Sequence, residues 1–472
     1  MPPRPSSSFE RALERIAVAH TGILLVATTW GFGGNAAWIR PWLAAWGSLS
    51  LPLILAARWA QPRSAAAPIL RWLWPLGLFN ALALAACLTP GFRAMADGAD
   101  VVLIPLRVPA WRPSAALPSL VLPNLWIFDA VYLAAFNLAL AVRGRRLWRG
   151  FFLCVTANAV ALAVFGTLQK LSGASGLYFG LVKSPQSYFF ASFIYDNHWG
   201  AFIVLMTAAT LGLVGRYAAR SPADEFFRTP AFAGLVAILF LVATVPLSGA
   251  RVCTALLFVL LTGGYARAMN RMIKSRRRNG EPVARPLAGT LFAAALALAA
   301  IWSIAGENIA QRFAKTQEQV ALMRAQGGIG NRSALYANTW RMAKDRLWFG
   351  WGTGSYPHVF TLYNTQQPNP LDHLPVFYHD AHSDWLQSLA EHGLVGTLLL
   401  GLCAVIPLAA AGARHLAAPL PCFLLAGCAL VFLYAAIEFP FGNVAVVLSW
   451  WLCFFGAIRY AQLRPTAPVR PS

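Results

Sequence analysis

The stretch PAFAGLVAILFLVATVPLSGARVCTALLFVLLTGGYARAMNRMIKSRRR (residues 230–278) decides the fold class. Two apolar runs, 230–247 and 251–268, flank the short turn Ser248-Gly249-Ala250. Each is close to the ~20 residues that cross a hydrocarbon core. The second run begins on Arg251 and ends in the basic cluster Arg271–Arg278. Short basic segments of this kind mark the cytoplasmic side of a membrane helix. The stretch therefore reads as a transmembrane hairpin.

The same pattern recurs outward in both directions. Further runs lie at 16–34, 41–60, 72–90, 124–142, 148–168, 198–216, 287–304, 385–408, 418–437 and 441–459. The expected fold is all-α, a polytopic transmembrane bundle of about twelve helices. Of 472 residues, 58% are hydrophobic and only 12% charged, which excludes a soluble chain of several domains. The formal net charge is +21. Most of the 38 Lys and Arg fall in the N- and C-terminal tails and in every second loop. Under the positive-inside rule those segments are cytoplasmic. No basic patch interleaved with aromatics occurs, so nucleic acid is not an expected partner. All seven cysteines lie in or beside apolar runs without a CxxC pair, and read as small core residues. Arg4, Arg11 and Arg15 precede the first run, which reads as a retained helix rather than a cleaved signal.

The expected organisation is a cytoplasmic tail at 1–15, helices one to nine over 16–304, a periplasmic loop at 305–384, helices ten to twelve over 385–459, and a cytoplasmic tail at 460–472. Within the long loop, Glu307–Arg324 and Ser333–Lys344 read as helices, and the glycine- and proline-rich 347–375 as loop. Residues 91–123 are proline-rich and read as irregular; 169–197 are rich in Gly, Ser and Tyr.

Candidate chemistry collects on the extracytoplasmic side. The cluster His373, His379, Asp380, His382, Asp384 precedes the tenth run. Histidine exchanges a proton most readily near neutral pH. His382 and Gly393 are 11 residues apart, which on a straight helix puts them nearly on one face, about 20° apart after three turns. His382 then stands at the helix mouth with Asp380 or Asp384 to orient it, and Gly393 admits a neighbouring helix. A metal reading of HDAHSD fits no defensible zinc spacing. Arg251, near membrane depth, suits phosphate oxygens through paired hydrogen bonds. Arg332, Arg341, Lys344 and Arg346 form a basic helix surface in the loop, functional or simply solvated. Asn197 and His198 open the sixth run, as sugar ligands or as a plain cap. Glu438 closes the eleventh, where it can pair with an arginine or orient a histidine. Gly350-Trp-Gly-Thr-Gly354 follows no βα unit, so it reads as a tight turn that lets backbone approach another element.

Four stretches carry a resemblance over roughly residues 150–460: YDNHWGAF (195–202), LSGARVCTALL (247–257), NRSALYANTWRMAKDRLWFGWGTGSY (331–356) and HDAHSDWLQSLAEHGLVG (379–396). Together they resemble the O-antigen ligase and O-antigen polymerase superfamily of bacterial envelope glycosyltransferases, including a His-x10-Gly spacing at His382 and Gly393. One offset stands out: the ligase pattern of Arg, three residues, Leu is not met, with Leu256 five positions after Arg251. The resemblance implies a GT-C-like inner-membrane enzyme without cofactor or metal. It would move a glycan from an undecaprenyl-diphosphate carrier to lipid A–core, or to another carrier-linked glycan. His382 would be the base, and Arg251 and Arg332 the cations on the diphosphate; Asn197, His198, Arg341, His379 and Glu438 would bind substrate. A flippase or transporter fits twelve spans too, and would show inverted repeats, of which none is evident. A non-catalytic assembly protein would tolerate alanine at Arg251 and His382.

Overall fold

A computed structural model describes residues 7–61, 63–97, 100–186, 188–219, 226–296, 331–365 and 376–463, with isolated positions between 298 and 317. Of the expected helix Glu307–Arg324 only Ala310 and Gln317 are described, and His373 lies outside the described residues. Among the described residues, ten helices are long and apolar enough to cross a membrane. They are α1 (Ser8–Trp30), α2 (Arg40–Ala60), α3 (Ala66–Cys87), α4 (Pro118–Ala141), α5 (Arg145–Leu171), α6 (Asp196–Ala218), α7 (Pro230–Ser248), α8 (Arg251–Arg278), α11 (Asp384–Ala409) and α13 (Val444–Gln462). Two shorter apolar helices, α9 (Ala284–Leu296) and α12 (Pro419–Tyr434), fall on the remaining two expected runs. The protein is an all-α polytopic membrane protein.

The centre of the bundle is α13, which is 94% buried along its apolar window, against 22% for α8. Trp450, Trp451, Phe454 and Phe455 stack along one stretch of it and reach Tyr132 of α4 and Trp72 of α3. A helix apolar on all sides belongs in such a position. Its N-terminus therefore presents the turn 435–443 at a fixed place on one end of the bundle. The basic end of α8 lies at the other.

Residues 91–123 are not irregular throughout. Phe92–Asp97 and Asp100–Pro105 pair as an antiparallel hairpin, with Phe92 opposite Pro105 and Asp97 opposite Asp100. Its second strand, DVVLIP, is β-branched and apolar, a signal masked by the prolines that follow it. The loop helix α10 (Asn331–Asp345) covers the expected Ser333–Lys344.

A second core joins α10 to the bundle: Leu335, Met342 and Ala343 pack with Trp351, Tyr356, Phe360, Phe92 of the hairpin and Ala390 of α11. The joint is made at Gly393. A straight tenth helix is overturned here, because Gly393 has φ 63° and ψ −171° and breaks α11. It shares no continuous helical face with His382. Its neighbour is not a helix but the turn 347–354. Leu394 N–H donates to Leu347 O at 2.8 Å and Val395 N–H to Trp348 O at 3.1 Å, while Trp351 and Gly352 donate to Ala390 and Glu391 carbonyls at 2.9 and 2.8 Å. The approach is so close that a Cβ on Gly350 would stand 2.4 Å from Glu391 backbone, and one on Gly393 2.5 Å from that of Trp348. The Glu391 carboxylate then accepts the Gly354 and Tyr356 amides, both at 3.0 Å. The glycine turn is thus a backbone plug in a helix break, and it sets how α10 sits on the bundle.

Gly393→Ala tests this joint. An alanine cannot adopt that backbone and also meets Trp348, so destabilisation of at least about 2 kcal/mol is expected. Protease sensitivity of residues 331–365 in detergent, rising before the transmembrane helices unfold, checks it; unchanged sensitivity contradicts it.

Candidate active site

Glu438 organises the site. It follows α12 in the turn that leads to α13, and its side chain is only 3% exposed. A carboxylate buried so deeply needs partners. Arg332 supplies one: its Nη2 donates to Glu438 Oε1 at 2.5 Å, and its Nη1 to the Ile437 carbonyl at 3.4 Å. His382 supplies the other, with Nδ1 3.4 Å from Glu438 Oε2. Burial pushes the Glu438 carboxyl up, but the His382 hydrogen bond and the Arg332 charge outweigh it and hold it below the ordinary range. Arg332 shifts the other way: burial favours its neutral form, and Glu438 more than offsets that.

An ionised carboxylate only accepts hydrogen bonds, so the His382 Nδ1 facing it carries the proton. In the neutral ring Nε2 then holds the lone pair. The side chain is 28% exposed, so the ring is partly open to a ligand.

Three elements hold the imidazole. His382 precedes the N-cap Ser383, which accepts the Leu386 amide at 3.3 Å, and it adopts φ 50°, a left-handed conformation disfavoured outside glycine. Tyr336, one turn after Arg332 on the same face of α10, sets its hydroxyl 2.9 Å from the His382 carbonyl and 3.2 Å from that of Ile437. Phe439 meets the His382 ring edge-on at 4.9 Å. The start of α11 is clipped to the same turn, with Asp384 N–H donating to Glu438 O at 3.1 Å and Phe441 N–H to Asp384 Oδ2 at 2.8 Å.

The carboxylate on His382 is therefore Glu438, not Asp380 or Asp384. Asp384 spends itself on the Phe441 amide. Asp380 is shifted up by burial, against the pull of His382 and His379. A sequence window around His382 contains both aspartates; the residue that wins is 56 positions away.

The other expected site residues divide by position. His198 is 3% exposed, with Nε2 on the Phe439 carbonyl at 3.1 Å and its ring edge-on to Phe439 at 5.1 Å. It supports from within the Phe439 ring, which stacks on Tyr195, meets Tyr195 edge-on itself, and does not line the surface. Asn197 is half-buried, donating to the Tyr195 hydroxyl at 2.8 Å. Arg251 is exposed at the first position of α8. The α6–α8 contact is tight, since a Cβ on Gly200 would stand 2.6 Å from Cys253 and 2.9 Å from Ala250. That packing sets the Arg251 backbone beside the first turn of α6 and Asn197. His379 is exposed, its ring edge-on to Phe377 at 4.8 Å, outside the Glu438 cluster. Arg341 follows Arg332 by nine residues, about half a turn out of phase on α10, and is exposed on the opposite face. It does not join the site. Arg346 is buried over the Trp351 ring at 4.5 Å, a structural cation. Tyr336 and Phe439 were not singled out; the i, i+4 spacing from Arg332 is the signal that marks Tyr336. Among the described residues, no three His, Cys, Asp or Glu side chains are placed to hold a metal ion.

Residues 232–401 match a protein family described as O-antigen ligase. That segment takes in Arg251, Arg332 and His382, and supports the O-antigen ligase and polymerase superfamily for this chain; Glu438 lies beyond it. No curated protein matches the chain.

Proposed function

We propose that this protein is a membrane glycosyltransferase that moves a glycan from an undecaprenyl-diphosphate carrier to an acceptor sugar hydroxyl. The observation that carries the reading is the Arg332–Glu438–His382 chain, in which a buried carboxylate orients a reachable imidazole beside a half-exposed guanidinium. The acceptor hydroxyl loses its proton to His382 Nε2 as its oxygen bonds the anomeric carbon. The anomeric C–O bond breaks on the opposite face, and the carrier diphosphate leaves with the electron pair. The product is inverted, and no covalent glycosyl-enzyme forms. Arg332 retains donors beyond those given to Glu438 and Ile437, and with Arg251 it offers positive charge to the leaving group in place of a metal ion.

The site faces the periplasm across the inner membrane in this reading, because Arg271–Arg278 at the far end of α8 is the strongest cytoplasmic anchor. A phosphatase fusion at Gln326 is expected to be active and one at Asn279 inactive; the reverse pattern contradicts the orientation.

Purified protein given carrier-linked repeat units, with and without lipid A–core, tests the function. Longer carrier-linked chains identify a polymerase, and transfer only when lipid A–core is present identifies a ligase. Full activity in EDTA is expected in either case. Donor left intact with both acceptors, or activity lost in EDTA and restored by a divalent ion, contradicts the reading.

A further inference from the structure

At the end of the bundle opposite Glu438, a cavity of about 950 Å³ opens sideways between α1 and α5. On α1 it runs from Val18 to Ala27, and on α5 from Arg146 to Asn158. Val18 to Ala27 is about 14 Å of helix and Arg146 to Asn158 about 18 Å, so the groove spans about one leaflet of a ~30 Å hydrocarbon core and reaches past its edge at the arginines. The walls are apolar, with Val26 and Leu153 among them. Gly22 and Gly150 line the groove, and a Cβ on either would meet nothing within 4 Å. The inner end is closed by Asn158, whose amide accepts from Trp30 Nε1 at 2.9 Å and donates to Thr29 Oγ1 at 3.1 Å.

The mouth is cationic. Arg146 and Arg149 line it. Arg145 stands over the Tyr460 ring at 4.9 Å, and Arg216 is near enough to act on it electrostatically. The nearby acids are committed elsewhere: Glu10 pairs with the Arg143 side chain at 3.3 Å, and Glu14 accepts the Arg143 amide at 3.0 Å. Among the described residues no carboxylate is paired with Arg145, Arg146, Arg149 or Arg216. Arg145 donates to the Tyr460 and Ala461 carbonyls and Arg149 to the Tyr460 hydroxyl, all uncharged acceptors, so the positive charge of the cluster is left to attract an anion above an apolar groove that suits a hydrocarbon chain. Basic pockets between membrane helices meet both needs with anionic lipid.

We infer that this groove is a binding site for one acyl chain of an anionic glycerophospholipid, with the lipid phosphate held by Arg146 and Arg149. The site is independent of glycan transfer and stands or falls separately from it. In the orientation proposed above it belongs to the cytoplasmic leaflet.

Native mass spectrometry after exchange into vesicles of equal phosphatidylglycerol and phosphatidylcholine tests it. The wild-type protein is expected to retain phosphatidylglycerol at least about tenfold over phosphatidylcholine. The double variant R146A/R149A is expected to lose that preference. Gly22→Leu, whose Cβ enters open space and whose side chain extends into the groove with both arginines kept, is expected to abolish the retained lipid. Equal retention of the two lipids by the wild type, undiminished phosphatidylglycerol on Gly22→Leu, or a polyprenyl phosphate as the species retained would each overturn the inference.

Discussion

Replacing His382 by alanine is expected to reduce glycan transfer by roughly 10²–10⁴-fold, the usual contribution of a positioned general base. A sugar hydroxyl is a poor nucleophile at neutral pH, and in this account Nε2 of His382 is the atom that takes its proton. The imidazole is set by the Glu438 hydrogen bond, the Tyr336 contact to its carbonyl and the Phe439 ring, and it is exposed enough to be reached. Because Glu438 keeps Arg332, the variant is expected to insert in the membrane and bind donor as before. His379→Ala is the control. That ring lies against Phe377 outside the cluster, so its loss should change transfer little. Transfer at wild-type levels by His382→Ala, at normal expression, removes His382 as the base.

Glu438→Gln is expected to cost on the order of 10²-fold or more. The amide is nearly isosteric, so packing in the 435–443 turn survives. Its charge does not, and its NH₂ can face His382 as a donor. The ring would then present Nδ1 as acceptor and carry its proton on Nε2, the wrong tautomer for a base. Arg332 loses its partner in the same step. Arg332→Lys is also expected to lose most activity, since an ammonium cannot span Glu438 and a phosphate as a planar guanidinium does. The losses from Glu438→Gln and Arg332→Lys should not add, because each disrupts the same chain of contacts. Strict additivity, or Arg332→Ala and Arg341→Ala behaving equally mildly, would show that the α10 arginines are only a solvated face.

Much of the architecture was legible because its signals are local. Every span is a continuous apolar run, and each of the twelve expected runs meets an apolar helix, two of them short. The helix α10 was visible in Ser333–Lys344, which lacks Gly and Pro. The alternating glycines of 350–354 signal a close backbone approach, and Gly350 makes it against Glu391. What failed depended on assuming regularity. The His382–Gly393 spacing looked like one helical face, whereas Gly393 is the break that receives the 347–354 turn. The DVVLIP strand was hidden behind prolines. The site failed at long range instead. His382, Arg332 and Glu438 were each picked out by residue type and position. Their joining is tertiary, made by α10 docking across the turn before α13, and no window around His382 contains Glu438. His198 shows the converse, since its place at a helix start looked like a ligand position until packing put it beneath Phe439.

As proposed, this protein consumes a carrier-linked donor rather than moving it across the membrane. The direct measurement uses proteoliposomes with labelled carrier-diphosphate-linked glycan on the side of the site and an acceptor glycan beside it. The expected result is label on the acceptor in inverted anomeric linkage, with an equimolar amount of carrier diphosphate released, and neither product from His382→Ala. Label appearing intact on the opposite side of the bilayer, with no carrier diphosphate released, would contradict the account and mark the protein as a transporter.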